Sequence, residues 1–337
     1  GHGSHVATTI GSHFRDAATG SRLGVAPDVR ILSVRVLGDD GVGTYEDVVQ
    51  GIQHVVEKKD EWQIRVLNLS LTAYATTPYF VDPVNLAAEA AWQHGIVVVA
   101  AAGNSGPNAQ SITVPGNDPY VLTIGAIDSN RTAGKEQWGD DSVPRWSAAG
   151  PTLDGFIKPD VLAPGANVVA YMYNDPNDKQ QAAALVQSHP NYQPNIDMYR
   201  LSGTSMATAV ASGVVALLVQ AQPELTPDQI KFRLMASAQS SVTEQGELTY
   251  ALLQQGSGRL WAPGVVLRQD IPIESANADL NLSAELANPW QESDEASQID
   301  TFDRDGDGLL NNGSIIPYGL KYEYYEGVWT TVPDFAS

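Results

Sequence analysis

The chain has 337 residues, a formal charge of −20 and no cysteine. The acid excess argues against a nucleic-acid partner, which needs a basic face. The missing cysteines exclude a disulfide framework, a thiol nucleophile and Cys-ligated zinc. An apolar fraction of 43% suits a globular protein with a buried core; no run reads as a membrane span, so no membrane partner is expected.

In chain order, GHGSHVATTI (1–10) comes first, a polar, glycine-flanked start bearing His2 and His5. Histidines at i, i+3 could ligate a metal, but no carboxylate or third histidine lies nearby in sequence. Residues 29–37 (VRILSVRVL) are rich in β-branched side chains and predict a strand. Thr44 offers an N-cap with Asp47 three residues on, and Val48, Ile52, Val55 and Val56 follow at helical spacing. Residues 66–71 predict a second strand and residues 85–94 a helix stopped by Gly95. Residues 96–102 and 120–127 are apolar throughout, as in strands buried on both faces. This alternation predicts an α/β fold, a doubly wound, mostly parallel sheet with helices on both faces. Another helix starts near Thr204 and runs through Leu218. A further one follows Thr226, with Pro227 in its first position and Gln229 completing a capping box. After residue 269 the chain turns acidic and rich in Asn, Ser and Ala; 270–300 reads as a linker and 301–337 as a separate segment.

Three glycine-flanked polar stretches fall where strands should end: Gly1-His2-Gly3-Ser4-His5, Gly103-Asn104-Ser105-Gly106-Pro107 and Gly203-Thr204-Ser205-Met206-Ala207. Sites in open α/β sheets gather at the carboxyl ends of strands. Acyl transfer by serine needs a hydroxyl, an imidazole to take its proton, and donors for the oxyanion. Ser205 opens a helix, so its N–H can face an anion; Asn104 can aim its side-chain NH2 at the same point, and His2 would be the base. Taken singly, Asn104 is an ordinary turn residue and Ser205 an ordinary helix cap. The three stretches together are specific.

In these stretches the chain resembles the subtilisin-like serine proteases, the subtilases. GHGSHVA is similar to the family's histidine box, AAAGNSGP to its oxyanion-asparagine segment and LSGTSMATAVASGVVALL to its serine box, and the similarity extends over about residues 1–268. The resemblance implies a serine endopeptidase with His2 as general base, Ser205 as nucleophile, and Asn104 with the Ser205 N–H as oxyanion hole; His5 is then structural. It implies protein or peptide substrates and a propeptide, a monomer, and a secreted, extracellular protein. Substrate would pair with the edge Ser70-Leu71-Thr72, and Ala101-Ala102-Gly103 would wall the pocket beside Asn104. A binding or adhesion protein on the same scaffold is the alternative.

The departures are specific too. The family's catalytic Asp lies upstream of its histidine box and has no matching position here, so we expect the chain to be N-terminally incomplete. Asp118 and Asp160 match segments with no triad role. Thr8, Thr72 and Ala149 replace a usual Gly, Gly and Arg; Thr72 is expected to reshape the outer subsites, the others to affect packing. In the tail, DRDGDGLLNNGS (303–314) spaces Asp303, Asp305, Asp307 and Asn311 like a calcium loop, with Ser314 where the bidentate Glu would stand. Calcium would be its structural cofactor; a solvated acidic turn is the alternative. Residues 318–337 resemble the opening strand of a carbohydrate-binding β-sandwich; an ordinary amphipathic strand is the alternative.

Overall fold

The computed structural model describes residues 1–15, 20–38, 41–129, 141–172, 189–194, 198–243, 245–268, 270–287 and 321–322. Helix α1 (His2–Gly11) is followed by the short strand β1 (Gly43–Thr44), α2 (Tyr45–Glu57) and the one-turn α3 (Lys59–Trp62). Next come β2 (Val66–Leu69), α4 (Pro83–Gln93), β3 (Val97–Ala101), β4 (Leu122–Ile127) and β5 (Val161–Pro164). Strands β6 (Val168–Tyr171) and β7 (Met198–Leu201) precede α5 (Thr204–Ala221) and α6 (Pro227–Ser237). Three short helices, α7 (Leu252–Gln255), α8 (Ala262–Leu267) and α9 (Leu282–Ala287), and strand β8 (Lys321–Tyr322) complete the order.

The body is a parallel sheet in the order β2-β3-β4-β5, with Val66 opposite Val97, Val99 opposite Leu122 and Ile124 opposite Val161. Every residue of β3 and β4 is buried; the one polar side chain among them, Thr123, donates to the Gly116 carbonyl at 2.7 Å. Helix α5 crosses one face in contact with all four strands, and α1 packs against it; α4 covers β3, and α2 packs on α4. Strands β6 and β7 form a separate antiparallel pair, and β8 pairs antiparallel with β1.

Local chemistry sets the helix ends. The Thr44 side chain accepts from Asp47 N–H while Asp47 reaches back to Thr44, and Thr226 and Gln229 do the same for α6. Helix α4 starts two residues before the expected position. Asp82 caps it through Val84 and Asn85 N–H (2.9 and 3.2 Å), and Pro83 fills a position that needs no donor. Gly95 follows its end at φ +82°, where a side chain would be strained.

Three sequence expectations are corrected. Residues 29–37 join no strand ladder among the described residues, and Ile31 and Leu32 are 45% and 44% exposed. The segment still lies near β2: Arg30 donates to Gln63 at 3.4 Å, just before the strand, and Leu37 and Leu71 line one pocket. Second, α5 is long and apolar enough to cross a membrane, although no such run was expected; in the fold it is a core helix, 67% buried. Third, the expected linker is packed as far as residue 287. Asn277 donates to Asp228 (2.7 Å) and to the Tyr120 carbonyl (3.2 Å), and Glu285 accepts from Tyr79 and Tyr120 hydroxyls at 3.1 and 2.7 Å. Composition hid this, because polar anchors carry no apolar period.

Candidate active site

Helices α1 and α5 run side by side in the same sense. Val6 packs against Met206 and Ala209, and the Ile10 carbonyl lies 3.5 Å from where a Cβ on Gly213 would stand. Both helices therefore begin at one edge of the molecule, and that edge carries His2 and Ser205. β2 and β3 lead there too, with Ser70 and Asn104 just beyond their ends.

Ser205 is the second residue of α5, so its N–H has no partner within the helix. The residue is 8% exposed, and its hydroxyl rests on the Ser70 carbonyl at a long 3.4 Å. Asn104 is clamped at one end: its Oδ1 accepts from Thr204 N–H (2.8 Å) and Thr204 Oγ1 (3.0 Å). A backbone N–H can only donate, so the oxygen must face Thr204 and the Nδ2 must face away. Gly103 N–H donates to Thr204 Oγ1 at 3.2 Å and completes the clamp. Gly103 itself sits at φ +113°, where a Cβ would meet Thr113 at 2.8 Å. A Cβ on Gly203 would stand 3.6 Å from Asn104 Nδ2 and 3.7 Å from Ser205 N. The two donors thus border one space, which glycine leaves open. An oxyanion held by both would lie closer still, at about 2.7–3.1 Å from each.

His2 begins α1, half-buried. Burial first, then the neighbouring His5, push its imidazole down to about 3, so it is neutral at pH 7. His5 is fully buried; its Nε2 bridges the carbonyls of Val168 (3.2 Å) and Tyr199 (3.1 Å), tying α1 to both strands of the β6-β7 pair. Burial, partly offset by those carbonyls, lowers it to about 4. The Thr8 hydroxyl does more than pack: it reaches the Tyr171 carbonyl at 2.7 Å. Ala149 is a buried small residue whose N–H is bonded to Ser111 Oγ.

Of the expected substrate residues, Ser70, Leu71 and Thr72 are half-buried at the end of β2. Leu71 and Thr72 line an apolar pocket with Leu37, Tyr45, Val48 and Val84. Ala101, Ala102 and Gly103 are instead buried. The Ala102 and Gly103 carbonyls accept from Thr113 and Ala148 N–H, both at 3.0 Å. Asp118 and Asp160 lie just before β4 and β5, at the opposite ends of the strands, where Asp118 caps Tyr120 N–H and Asp160 pairs with Lys158 (2.8 Å). Asp303, Asp305, Asp307 and Asn311 lie outside the described residues. Among the described residues no group of three or more His, Asp or Glu side chains could hold a metal ion. The clamp on Asn104 was missed in the sequence; its only trace there is the threonine directly before Ser205.

The peptidase S8 model, described as the subtilase family, matches residues 1–258. The chain belongs to the subtilase family. It is 38% identical over 239 residues to serine protease AprX of Bacillus subtilis, a match covering 68% of this chain and 51% of AprX. The chain thus spans about half the length of that relative. Subtilisin DY of Bacillus licheniformis is 32% identical over 240 residues, covering 71% of this chain and 70% of its own. Among solved structures, sphericase superposes with a TM-score of 0.60 at 26% identity, covering 77% of each chain. This subtilase therefore shares the α/β architecture of that protease, with a parallel sheet flanked by helices.

Proposed function

We propose that this subtilase is a secreted serine endopeptidase that cleaves peptide bonds through an acyl-enzyme on Ser205. The observation that carries the reading is the fixed Asn104 amide, whose Nδ2 borders the same open space as the Ser205 N. Neutral His2 takes the Ser205 proton as Oγ attacks the scissile carbonyl. Asn104 Nδ2 and Ser205 N–H hold the resulting oxyanion. His2 then gives its proton to the leaving amine, and water repeats the sequence on the acyl group. A peptide would add as a strand along residues 70–72 and set an apolar side chain in the pocket bounded by Leu37, Tyr45 and Leu71.

A base in this role needs an orienting carboxylate. We place it on a strand seated between β2 and residues 29–37, which share no ladder among the described residues. In subtilisin itself, loss of that Asp alone costs roughly 3 × 10⁴ in turnover. Calcium at residues 303–314 stays a separate proposal.

A fluorophosphonate probe tests the reading, with Ser205→Ala as control, on the chain alone and on a form extended upstream through an Asp-bearing strand. The expected result is labelling of Ser205, faster in the extended form. No labelling of either folded form would overturn the reading and favour a binding protein on this scaffold.

A further inference from the structure

Three hydrogen bonds run head to tail from the third turn of α5 back to its first. Ser212 Oγ donates to Asn68 Oδ1 (3.0 Å), Asn68 Nδ2 donates to Ser70 Oγ (3.0 Å), and Ser70 Oγ donates to the Ser205 carbonyl (2.9 Å). The chain has one possible direction. The Ser205 carbonyl can only accept, which commits the single Ser70 proton to it. The Ser70 lone pairs then need a donor, and only the Nδ2 end of Asn68 is one. Asn68 Oδ1 is left facing Ser212, which must donate. A helical serine commonly bonds back to the carbonyl four residues earlier, as Thr208 does to Thr204 at 2.7 Å. Ser212 is buried and turns outward to the strand instead.

Asn68 sits within β2, directly opposite Val99 of β3, so its backbone is fixed by the sheet. Ser70 contacts the nucleophile at two points, through its hydroxyl to the Ser205 carbonyl and through its carbonyl to Ser205 Oγ. We propose that Asn68, anchored by Ser212, is a positioning residue for the reaction at Ser205. It acts through the Ser70 hydroxyl to hold the first turn of α5 against the substrate-edge end of β2. The inference rests on the serine-endopeptidase reading, because it assigns a task only if Ser205 reacts. The first turn sets where the Ser205 N–H and Cβ point, and small displacements of such groups cost rate rather than affinity.

The test exploits direction. Asn68→Asp keeps the size of the side chain but can only accept, so it draws the Ser70 proton away from the Ser205 carbonyl. In the full chain, the fluorophosphonate labelling rate and kcat on a peptide substrate should each fall roughly two- to tenfold, the worth of one neutral hydrogen bond, with KM within about twofold. Ser70→Ala should match that loss, and adding Asn68→Asp to Ser70→Ala should cost less than about twofold more. Ser212→Ala should lower the same rates by about twofold, and it keeps the test open if the Asp variant fails to fold. Wild-type rates in Asn68→Asp, or a loss that persists at full size in the Ser70→Ala background, would overturn the proposal. A wild-type protein that does not label at all would instead sink the endopeptidase reading, and this inference with it.

Discussion

Asn104 contributes to the site through what it cannot do. Its oxygen is occupied by two Thr204 donors, so its amide cannot turn over to offer a carbonyl to the open point beside Ser205. Replacing Asn104 by Leu is expected to lower turnover about 10²–10³-fold with little change in KM, the magnitude established for the same donor in subtilisin and carried over to this relative. Thr204→Val keeps the shape and the backbone N–H that orients the amide, but removes the hydroxyl from the clamp; a fall in turnover of up to about tenfold is expected, within the worth of one or two hydrogen bonds. Steady-state kinetics on one peptide substrate checks both. Equal losses from Asn104→Leu and Thr204→Val would instead mean that the threonine does more than orient the amide.

At the scale of elements, helix α9 docks on a buried acidic group. Glu89 of α4 and Asp118 before β4 are fully buried, and Glu285 of α9 accepts from Tyr79 and Tyr120 beside them. The Glu89 and Asp118 carboxyls face each other, and two acceptors can bond only when one carries a proton. Burial first, and then the Asp118 charge, hold Glu89 well above the usual carboxylate range, so the proton sits on Glu89. Lys158 partly offsets the burial of Asp118 from the other side. A carboxyl whose value is raised on folding stabilises the protein fully below its unfolded value, and the contribution is lost as pH climbs into the alkaline range. The Tm should therefore drop as pH rises from about 6 to about 9, and less steeply in Glu89→Gln, which stays neutral throughout. Parallel slopes in thermal melts of the two proteins would refute the shared proton.

For the whole molecule, the open question is the space beside β2. Residues 29–37 carry the β-branched sequence of a sheet strand, and Val34 and Val36 do pack on the core, yet their backbone bonds to no neighbouring strand among the described residues. An edge of this kind invites a further strand. In the chain alone, amide hydrogens of residues 29–37 and of β2 should exchange fast. In the form extended upstream they should gain protection of about tenfold or more, as ladder bonds close on both sides. Unchanged exchange in the extended form would place the orienting carboxylate elsewhere.

Much of the fold could be read in the sequence. Continuous apolar runs at β3 and β4 leave no polar face to solvate, and Thr44-Asp47 and Thr226-Gln229 specify helix starts with atoms only a few residues apart. The candidates His2, Asn104 and Ser205 were legible for the same reason, because each sits in a short glycine-flanked motif. What only the tertiary structure decided are the contacts between distant residues. Thr204 meets Asn104 across a separation of 100 residues, Ser70 meets Ser205 across 135, and Ser212 meets Asn68 across 144. Those bonds exist because α5 is laid on the carboxyl ends of β2 and β3. The packing of 275–285 onto α4 and α6 was hidden likewise, since hydrogen bonds from Asn277 and Glu285 leave no period in the sequence. Local patterning fixes which elements form. The burial of α5 against the sheet determines which of their polar groups meet, since a buried donor or acceptor must find its partner wherever the packing brings one.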